Sequence, residues 1–335
     1  MKIKAIGLDL AKTFFQAHGV DEQGRVALQR QLRRSQVLEF FARLEPCLVG
    51  MEACGAAHYR ARKLGEMGHT VRLMAPQFVK PYVKANKNDA RDAEAICEAL
   101  MRPTMRFVAV KSVEQQAVLS LHRLREGLVQ SRTALVNRVR GLLGEFGLVA
   151  PRGRKLFVAA LPRLVEEAQE VPQLLREVIE SVRGQLAAYN EQIASIEARL
   201  RAWHRGNEDS LRLEEVPGVG MLTATAAVAT VGDAKVFARG RQFAAWVGLT
   251  PGEHSSGGKT RLLGISKRGN CYLRKLLVHG ARAVVRSHKP QGDRWLTALL
   301  QRRPRNVAVV ALAQRNARTL WALLAHHTSY RPQAV

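Results

Sequence analysis

Two short apolar runs near the start of the chain restrict its fold more than any other feature. The run Cys47-Leu48-Val49-Gly50-Met51-Glu52 is continuously apolar up to its last residue, the pattern of a strand buried on both faces. The run Ile6-Gly7-Leu8-Asp9-Leu10 reads as a second strand, over 2–9. Strands at 13–20 and 25–31 follow, the first after Ala11-Lys12 and the second after the turn Asp21-Glu22-Gln23-Gly24. A helix from a Ser35 cap to Leu44, a helix over 56–67 ending at Gly68, a strand at 69–74 and a helix from Asp89 to Leu100 complete the pattern. A meander that then alternates with helices predicts an α/β domain: a mixed sheet with helices on its faces.

Both runs carry a carboxylate, Asp9 and Glu52, and Asp89 and Asp92 follow in Asn86-Lys87-Asn88-Asp89-Ala90-Arg91-Asp92. Yet the chain has 53 basic and 28 acidic residues and a formal net charge of +25, so polyanions are its expected partners. Carboxylates beside a polyanion repel it unless a divalent cation bridges the two. Neighbouring strands would set Asp9 beside Glu52, and residues three apart share a helix face, as Asp89 and Asp92 do. Such a set offers hard oxygen ligands to two Mg²⁺ ions. Ions about 3.5–4 Å apart stabilise both the attacking and the leaving oxygen of a phosphodiester. Taken singly, Asp92 also reads as a helix-surface charge, Asp89 as a helix N-terminal carboxylate and Glu52 as a strand-end charge.

Other classes fit less well. A hydrophobic content of 47% excludes disorder, and with no apolar run of about 18 residues a spanning helix is not expected. The start turns polar at Lys12, unlike a secretory signal. Cys47, Cys54, Cys97 and Cys271 lack zinc spacing and read as buried, reduced thiols of a cytoplasmic protein. Gly7-Leu8-Asp9-Leu10-Ala11-Lys12-Thr13 could open an actin-like ATPase, but the second phosphate loop and adenosine motif of that fold are not visible.

The middle of the chain is helical. Ser112-Val113-Glu114-Gln115 has the form of a capping box. Leu121, Leu124, Leu128, Leu135, Val139, Leu142 and Phe146 then fall in an a/d register, with Ser131 and Arg138 at other seam positions. Beyond Pro151, Pro162 and Pro172 the register is stricter: Leu175, Ile179, Val182, Leu186, Tyr189, Ile193, Ile196, Leu200 and Trp203. An antiparallel coiled-coil hairpin or dimerisation arm is expected, with a plain helical bundle as the alternative. The domains implied are 1–108, 109–208 and an all-α domain at 209–335 with helices near 270–286, 292–301 and 304–326.

That last part carries most of the attraction for polyanions: 216–335 holds 19 basic and three acidic residues. Pro217-Gly218-Val219-Gly220 matches the turn of helix-hairpin-helix DNA binders, whose glycines let backbone N–H groups approach a phosphate; an ordinary helix-linking turn fits as well. A Gly/Ser-rich loop at 250–258 precedes Lys259, Arg261, Lys267, Arg268 and Arg274. Backbone N–H groups and cationic heads there suit a phosphate, and a serine among them suits a nucleophile. A solvated turn is the plainer reading of the loop.

Taken together, the strand with Asp9, Gly50-Met51-Glu52-Ala53-Cys54-Gly55 and Asp89-x-x-Asp92 resemble the D-E-D-D domain of the Piv/MooV-like insertion-sequence transposases. The N-terminal part of that family is similar to Holliday-junction resolvases of the RNase H fold. Phe243-Ala244-Ala245-Trp246-Val247-Gly248-Leu249-Thr250-Pro251 through Ser256-Gly257, then Ser266-Lys267-Arg268-Gly269-Asn270 and Leu273-Arg274, resemble its C-terminal domain, to which Pro217-Gly218-Val219-Gly220 also belongs. The resemblance implies a recombinase that excises and inserts a mobile element, acting on the nucleoid. It implies Mg²⁺ on Asp9, Glu52, Asp89 and Asp92, and a covalent phosphoserine at Ser256, with Ser255 the adjacent candidate. It further implies a bridge RNA that pairs with donor and target DNA, and a homodimer or tetramer in which one protomer's acids meet another's serine. Gly218, Gly220, Lys259, Lys267, Arg268 and Arg274 are the nucleic-acid contacts expected from the residues themselves. Two other functions remain compatible with the residues: a resolvase-like two-metal nuclease without a serine adduct, and a non-enzymatic basic scaffold.

Overall fold

The computed structural model describes residues 2–84, 88–167, 171–288 and 293–331. Asn86 and Lys87 of the acidic motif, and residue 292 of the expected helix 292–301, lie outside them.

The apolar runs become the centre of a six-stranded sheet. Strands β1 (Ala5–Asp9), β2 (Phe14–Val20), β3 (Val26–Arg33), β4 (Leu48–Glu52), β5 (Thr70–Met74) and β6 (Phe107–Val108) are arranged in the order β3-β2-β1-β4-β5-β6. β1, β4 and β5 run parallel, while β2, β3 and β6 are antiparallel to their neighbours. This mixed sheet is consistent with the RNase H-like fold expected of the N-terminal part. The short β6 was not foreseen, and β3 runs two residues past the expected 31.

Alternation along β1 and β4 sorts their side chains onto two layers. Ile6, Leu8, Val49 and Met51 pack with α1 (Val37–Ala42) and α2 (Ala57–Glu66). On the opposite face Ala5 joins Ile96, Cys97 and Leu100 of α4 (Asp89–Leu100), which follows the short α3 (Pro76–Val79). Ser35 does not cap α1. The helix starts two residues later, and Gln36 sits at the cap in a helical conformation without a side-chain cap bond.

The described residues of 109–205 form a helical pair braced by a third helix. Helix α5 (Val113–Glu145) opens with the capping box of Ser112 and Gln115, each side chain bonded to the other's backbone N–H. Helices α6 (Arg154–Glu167) and α7 (Gln173–Arg205) follow. The bonds Trp203–Glu114, Arg125–Glu197 and Arg132–Asn190 show that α5 and α7 run antiparallel. The α7 seam lies inward as expected, with Ile179, Val182, Leu186, Ile193 and Leu200 buried. The α5 seam does not. Leu124, Leu142 and Phe146 are exposed, while Val118, His122, Val136 and Leu143 are buried with Leu135 and Val139. The stripe of α5 is rotated because its first half packs against the C-terminal domain as well as against α7.

That domain comprises α8 (Glu208–Glu214), α9 (Met221–Val231), α10 (Gly240–Val247), the strands β7 (Pro251–Glu253) and β8 (Leu262–Ile265), α11 (Cys271–Ser287), α12 (Arg294–Arg302) and α13 (Arg305–His326). Its core is built on Phe243, Leu273, Leu277, Leu312 and Leu320. No helix among the described residues is long and apolar enough to cross a membrane.

Two polar joints connect the three parts. Lys111, between β6 and α5, donates its backbone N–H to His58 Nδ1 at 3.2 Å, and Arg62 donates to Lys111 O and Gln116 Oε1 at 2.6 Å each. At the other end the His122 ring of α5 lies between Thr225 of α9, 3.1 Å from Nε2, and Tyr272 of α11, 3.0 Å from Nδ1. The Thr225 hydroxyl donates to Met221 O at 2.7 Å, so it accepts from His122 Nε2–H, and Tyr272 donates to Nδ1. A neutral imidazole satisfies both contacts, and burial, aided by the nearby Arg125, lowers the His122 pKa to about 4.

The unfolded chain therefore binds the extra proton first as pH falls below the ordinary value of 6.5, and stability is lost between there and about pH 4. The loss attributable to His122 is on the order of 3 kcal/mol. Chemical denaturation at neutral and mildly acid pH is expected to show this loss in the wild type. His122→Gln, which cannot titrate, should show a smaller acid loss; equal losses would remove His122 from the joint.

Candidate functional site

The acidic site rests on two glycines. Gly7 and Gly50 are register partners on β1 and β4, and both face α4. A Cβ on Gly7 would lie 2.2 Å from Ala93 O and 2.5 Å from Cys97 N, and one on Gly50 would lie 2.9 Å from Leu100 Cδ2. Helix α4 thus sits directly on the strand backbone. Glycine in a strand interior costs about 0.5–1 kcal/mol in backbone entropy; here it permits a helix approach that no side chain allows. The signal was visible as a glycine inside each apolar run, but the sequence reading assigned it no role.

Parity then places the acids. Asp9 is two residues beyond Gly7 and Glu52 two beyond Gly50, so both lie on the α4 face at the strand ends. Leu8 pairs with Met51, which puts Asp9 opposite Glu52. Ala93 lies over Gly7 and Cys97 Sγ is 3.8 Å from Ala5 O, so α4 runs antiparallel to β1 and brings its first turn to Asp9. That turn holds Asp89 and Asp92, behind an Asn88 cap whose side chain accepts from Ala90 N–H at 3.0 Å.

Each of Asp9, Asp89 and Asp92 contributes a carboxylate oxygen to a group whose members all lie within 4.8 Å of one another. Glu52 stands beside this group. Its pKa is raised, chiefly by burial and then by the charges of Asp9 and Asp92. Clustered hard oxygens and a carboxyl that resists ionising beside its neighbours are what a divalent cation relieves, so the donor set fits a hard divalent cation. The N-terminal dipole of α4 adds a partial positive charge at the same point.

The Gly/Ser-rich segment is not a loop but a β-hairpin. β7 pairs antiparallel with β8, and an isolated bridge joins Ser256 to Lys259. Gly257 and Gly258 have φ of 56° and 74°, the pattern of a type I′ turn, which requires positive φ at both central residues. Ser256 precedes that turn at the exposed tip. The neighbouring Ser255 hydroxyl donates to Glu253 Oε1 at 2.6 Å and accepts from Arg261 N–H at 3.1 Å. Ser255 is therefore held by the hairpin, and no bond to the Ser256 hydroxyl is seen among the described residues.

The basic candidates divide into two groups. Lys259, Lys267 and Arg268 are exposed around the hairpin base and tip. Arg274 Nη1 instead donates to Val247 O and Arg268 O, both at 2.8 Å, and holds the segment that carries Lys267 and Arg268. The glycine turn divides likewise. Gly218, at φ 87°, packs against the backbone of Gly280 in α11, while Gly220 faces open space at the start of α9. Asp9, Glu52, Asp89 and Asp92 belong to the sheet domain, whereas Ser256 projects from the separate C-terminal core.

Two family models match the chain. Residues 6–147 match the family model of the DEDD transposases of IS110 type, and residues 210–296 match the model described as the IS116/IS110/IS902 transposase family. A Pseudomonas aeruginosa protein described as a probable family 20 transposase is 57% identical, over 99% of this chain and all of its own length. The transposase of insertion sequence element IS1111A from Coxiella burnetii is 48% identical, over 98% of this chain and 92% of its own length. The transposase of IS1328 from Yersinia enterocolitica is 40% identical, over 98% of both chains.

Because its folded-state pKa is raised, ionised Glu52 destabilises the metal-free protein at neutral pH, and that effect fades as pH falls through its pKa. Thermal melting should therefore find Glu52→Gln at least as stable as wild type without metal at neutral pH, with its advantage lost in mild acid. Mg²⁺ should raise the wild-type melting temperature, by about 2.7 kcal/mol of stabilisation at a hundred times its Kd, and raise that of Glu52→Gln less. Equal Mg²⁺ effects in both proteins would separate Glu52 from the cation.

Proposed function

Because the chain belongs to the IS116/IS110/IS902 family of DEDD transposases, we propose that it moves an insertion sequence by cutting and resealing DNA with two components, the acids Asp9, Glu52, Asp89 and Asp92 and the hydroxyl of Ser256. The observation that supports this most is the meeting of three carboxylates within 4.8 Å on a chain of net charge +25. DNA cannot approach such a group closely until its charge is neutralised.

Mg²⁺ held by these four residues would neutralise them and stabilise charge on the scissile phosphate. The chain's own residues do the rest. The type I′ turn presents Ser256 at a hairpin tip beside Lys259, where a phosphodiester can reach the hydroxyl. Attack forms the Oγ–P bond and breaks the P–O3′ bond, and the serine proton leaves with the 3′ oxygen as a hydroxyl. Attack by the 3′-hydroxyl of a partner strand reverses these changes and frees the serine. One phosphoester replaces another at each step, so no ATP is required. Lys259, Lys267 and Arg268 hold the flanking phosphates, Arg274 fixes the segment that presents two of them, and backbone N–H groups at Gly220 offer a further phosphate contact.

Acids and serine on separate cores suit a shared site in which one protomer's sheet domain serves another's hairpin, within a dimer or tetramer. The α5–α7 pair, 33 residues in each helix and so about 50 Å long, is the arm that would join them. A bridge RNA pairing with donor and target DNA supplies sequence choice in this reading, since the basic residues named above contact backbone and not bases.

Denaturing gels of Mg²⁺-supplied protein with element-end DNA test the chemistry. Wild type should give a covalent protein–DNA adduct, Ser256→Ala none, and Ser255→Ala a reduced but present amount. Asp9→Asn should lose cleavage by at least a hundredfold while binding DNA nearly as well as wild type. Cleavage without any adduct would instead establish two-metal hydrolysis, and an adduct lost only in Ser255→Ala would make Ser255 and Glu253 the nucleophile and its base.

A further inference from the structure

A cleft of about 730 Å³ opens in the C-terminal domain between the start of α10, α12 and α13; no residue of the serine hairpin lines it, and it is no part of the site described above. Its walls are two indoles. Trp321 is fixed by bonds from Nε1 to Ala234 O and Phe237 O at 3.1 and 3.0 Å, and it packs against Gly240, whose missing side chain leaves it room. Trp295 carries the Arg315 guanidinium over its ring at 4.8 Å. Between them Ala311 and Ala322 of α13 leave the floor shallow.

The rim is strongly cationic. Arg239, Arg241 and Arg318 line it, exposed to solvent. Residues 216–335 contain three acidic side chains, two engaged away from the cleft and one, Asp293, paired with the lining residue Arg315. Asp233 accepts from Lys235 N–H, Glu253 from Ser255, and Asp293 pairs with Arg315 at 2.7 Å. None of them pairs with the three rim arginines.

We infer that this cleft binds one unpaired nucleotide of a nucleic-acid strand, its base against the Trp295 and Trp321 indoles and its flanking phosphates on Arg239, Arg241 and Arg318. Flat aromatic walls suit a base face of any sequence, and guanidinium groups match phosphate oxygens in pairs. The volume is that of a pocket for a small ligand, so it admits a single unstacked unit and not a duplex. A strand held here would be parted from its complement, or presented from a loop of structured RNA. The inference rests on the proposed function only in taking nucleic acid as the partner.

The test uses the full chain without divalent metal, so that it is independent of cleavage. Binding of oligothymidylate and oligouridylate is followed by fluorescence anisotropy, and copies carrying 5-iodouracil are crosslinked by light and mapped by mass spectrometry. Crosslinks are expected at Trp295 or Trp321. Arg241→Ala with Arg318→Ala, both on the exposed rim, should weaken single-strand binding about tenfold, remove those crosslinks, and change duplex binding much less. The oligomer bound more tightly identifies DNA or RNA as the source of the nucleotide. Unchanged single-strand affinity, an equal loss for duplex, or crosslinks confined to other residues would overturn the inference.

Discussion

The contact between α4 and the bare backbone of Gly7 and Gly50 determines where the carboxylates meet. Parallel pairing of β1 with β4 alone would leave Asp9 and Glu52 at two strand ends, with Asp89 and Asp92 on a helix at the ordinary helix–sheet distance. Removing two side chains lets α4 descend onto the sheet, and its first turn then arrives at the strand ends. The same two-residue alternation that buries Ile6, Leu8, Val49 and Met51 on one layer points both acids to the other. Fold and site therefore come from one pattern, read on opposite faces of the same strands.

Much of this was legible in the sequence. Uniformly apolar strands bounded by turns have one plausible home, a covered sheet, and each of them carries its own acid. The α7 seam was equally clear, because that helix buries one stripe along its length. The α5 seam misled because leucine spacing cannot reveal that the helix has two partners. Its first half also packs on α9 and α11, and a histidine, His122, occupies the inward position that a leucine register assigned elsewhere. The hairpin at 251–265 was hidden for a different reason. Glycine-rich composition is shared by open loops and type I′ turns, and only the positive φ of Gly257 and Gly258 separates them. The Trp–Arg cleft could not be read at all, since α10, α12 and α13 bring its residues together from 239 to 322.

Family membership removes the ATPase and scaffold readings and leaves a DNA transposase, for which the proposed mechanism brings phosphates to carboxylates. The charge distribution suits that task. Cations concentrate in the domain that carries Ser256, and Asp9, Asp89 and Asp92 meet at the end of the sheet. The joints at Lys111 and His122 are polar and directional, so the sheet domain, the helical pair and the C-terminal domain are held through a few hydrogen bonds as well as through apolar packing. Gly218 and Arg274 combine a place in the proposed contact surface with a structural role. Both lie in motifs suited to phosphate, and both are engaged with the protein's own backbone.

The central claim is that the close seat of α4 creates the cation site. It is tested most directly by counting bound Mn²⁺ with electron paramagnetic resonance in the wild type and in Gly7→Ala, a change that leaves every carboxylate in place. The expected result is Mn²⁺ binding in the wild type and affinity at least tenfold weaker in the folded variant, because the added methyl group must lift α4 and its two aspartates away from Asp9. Equal Mn²⁺ affinity in the two proteins would contradict the claim.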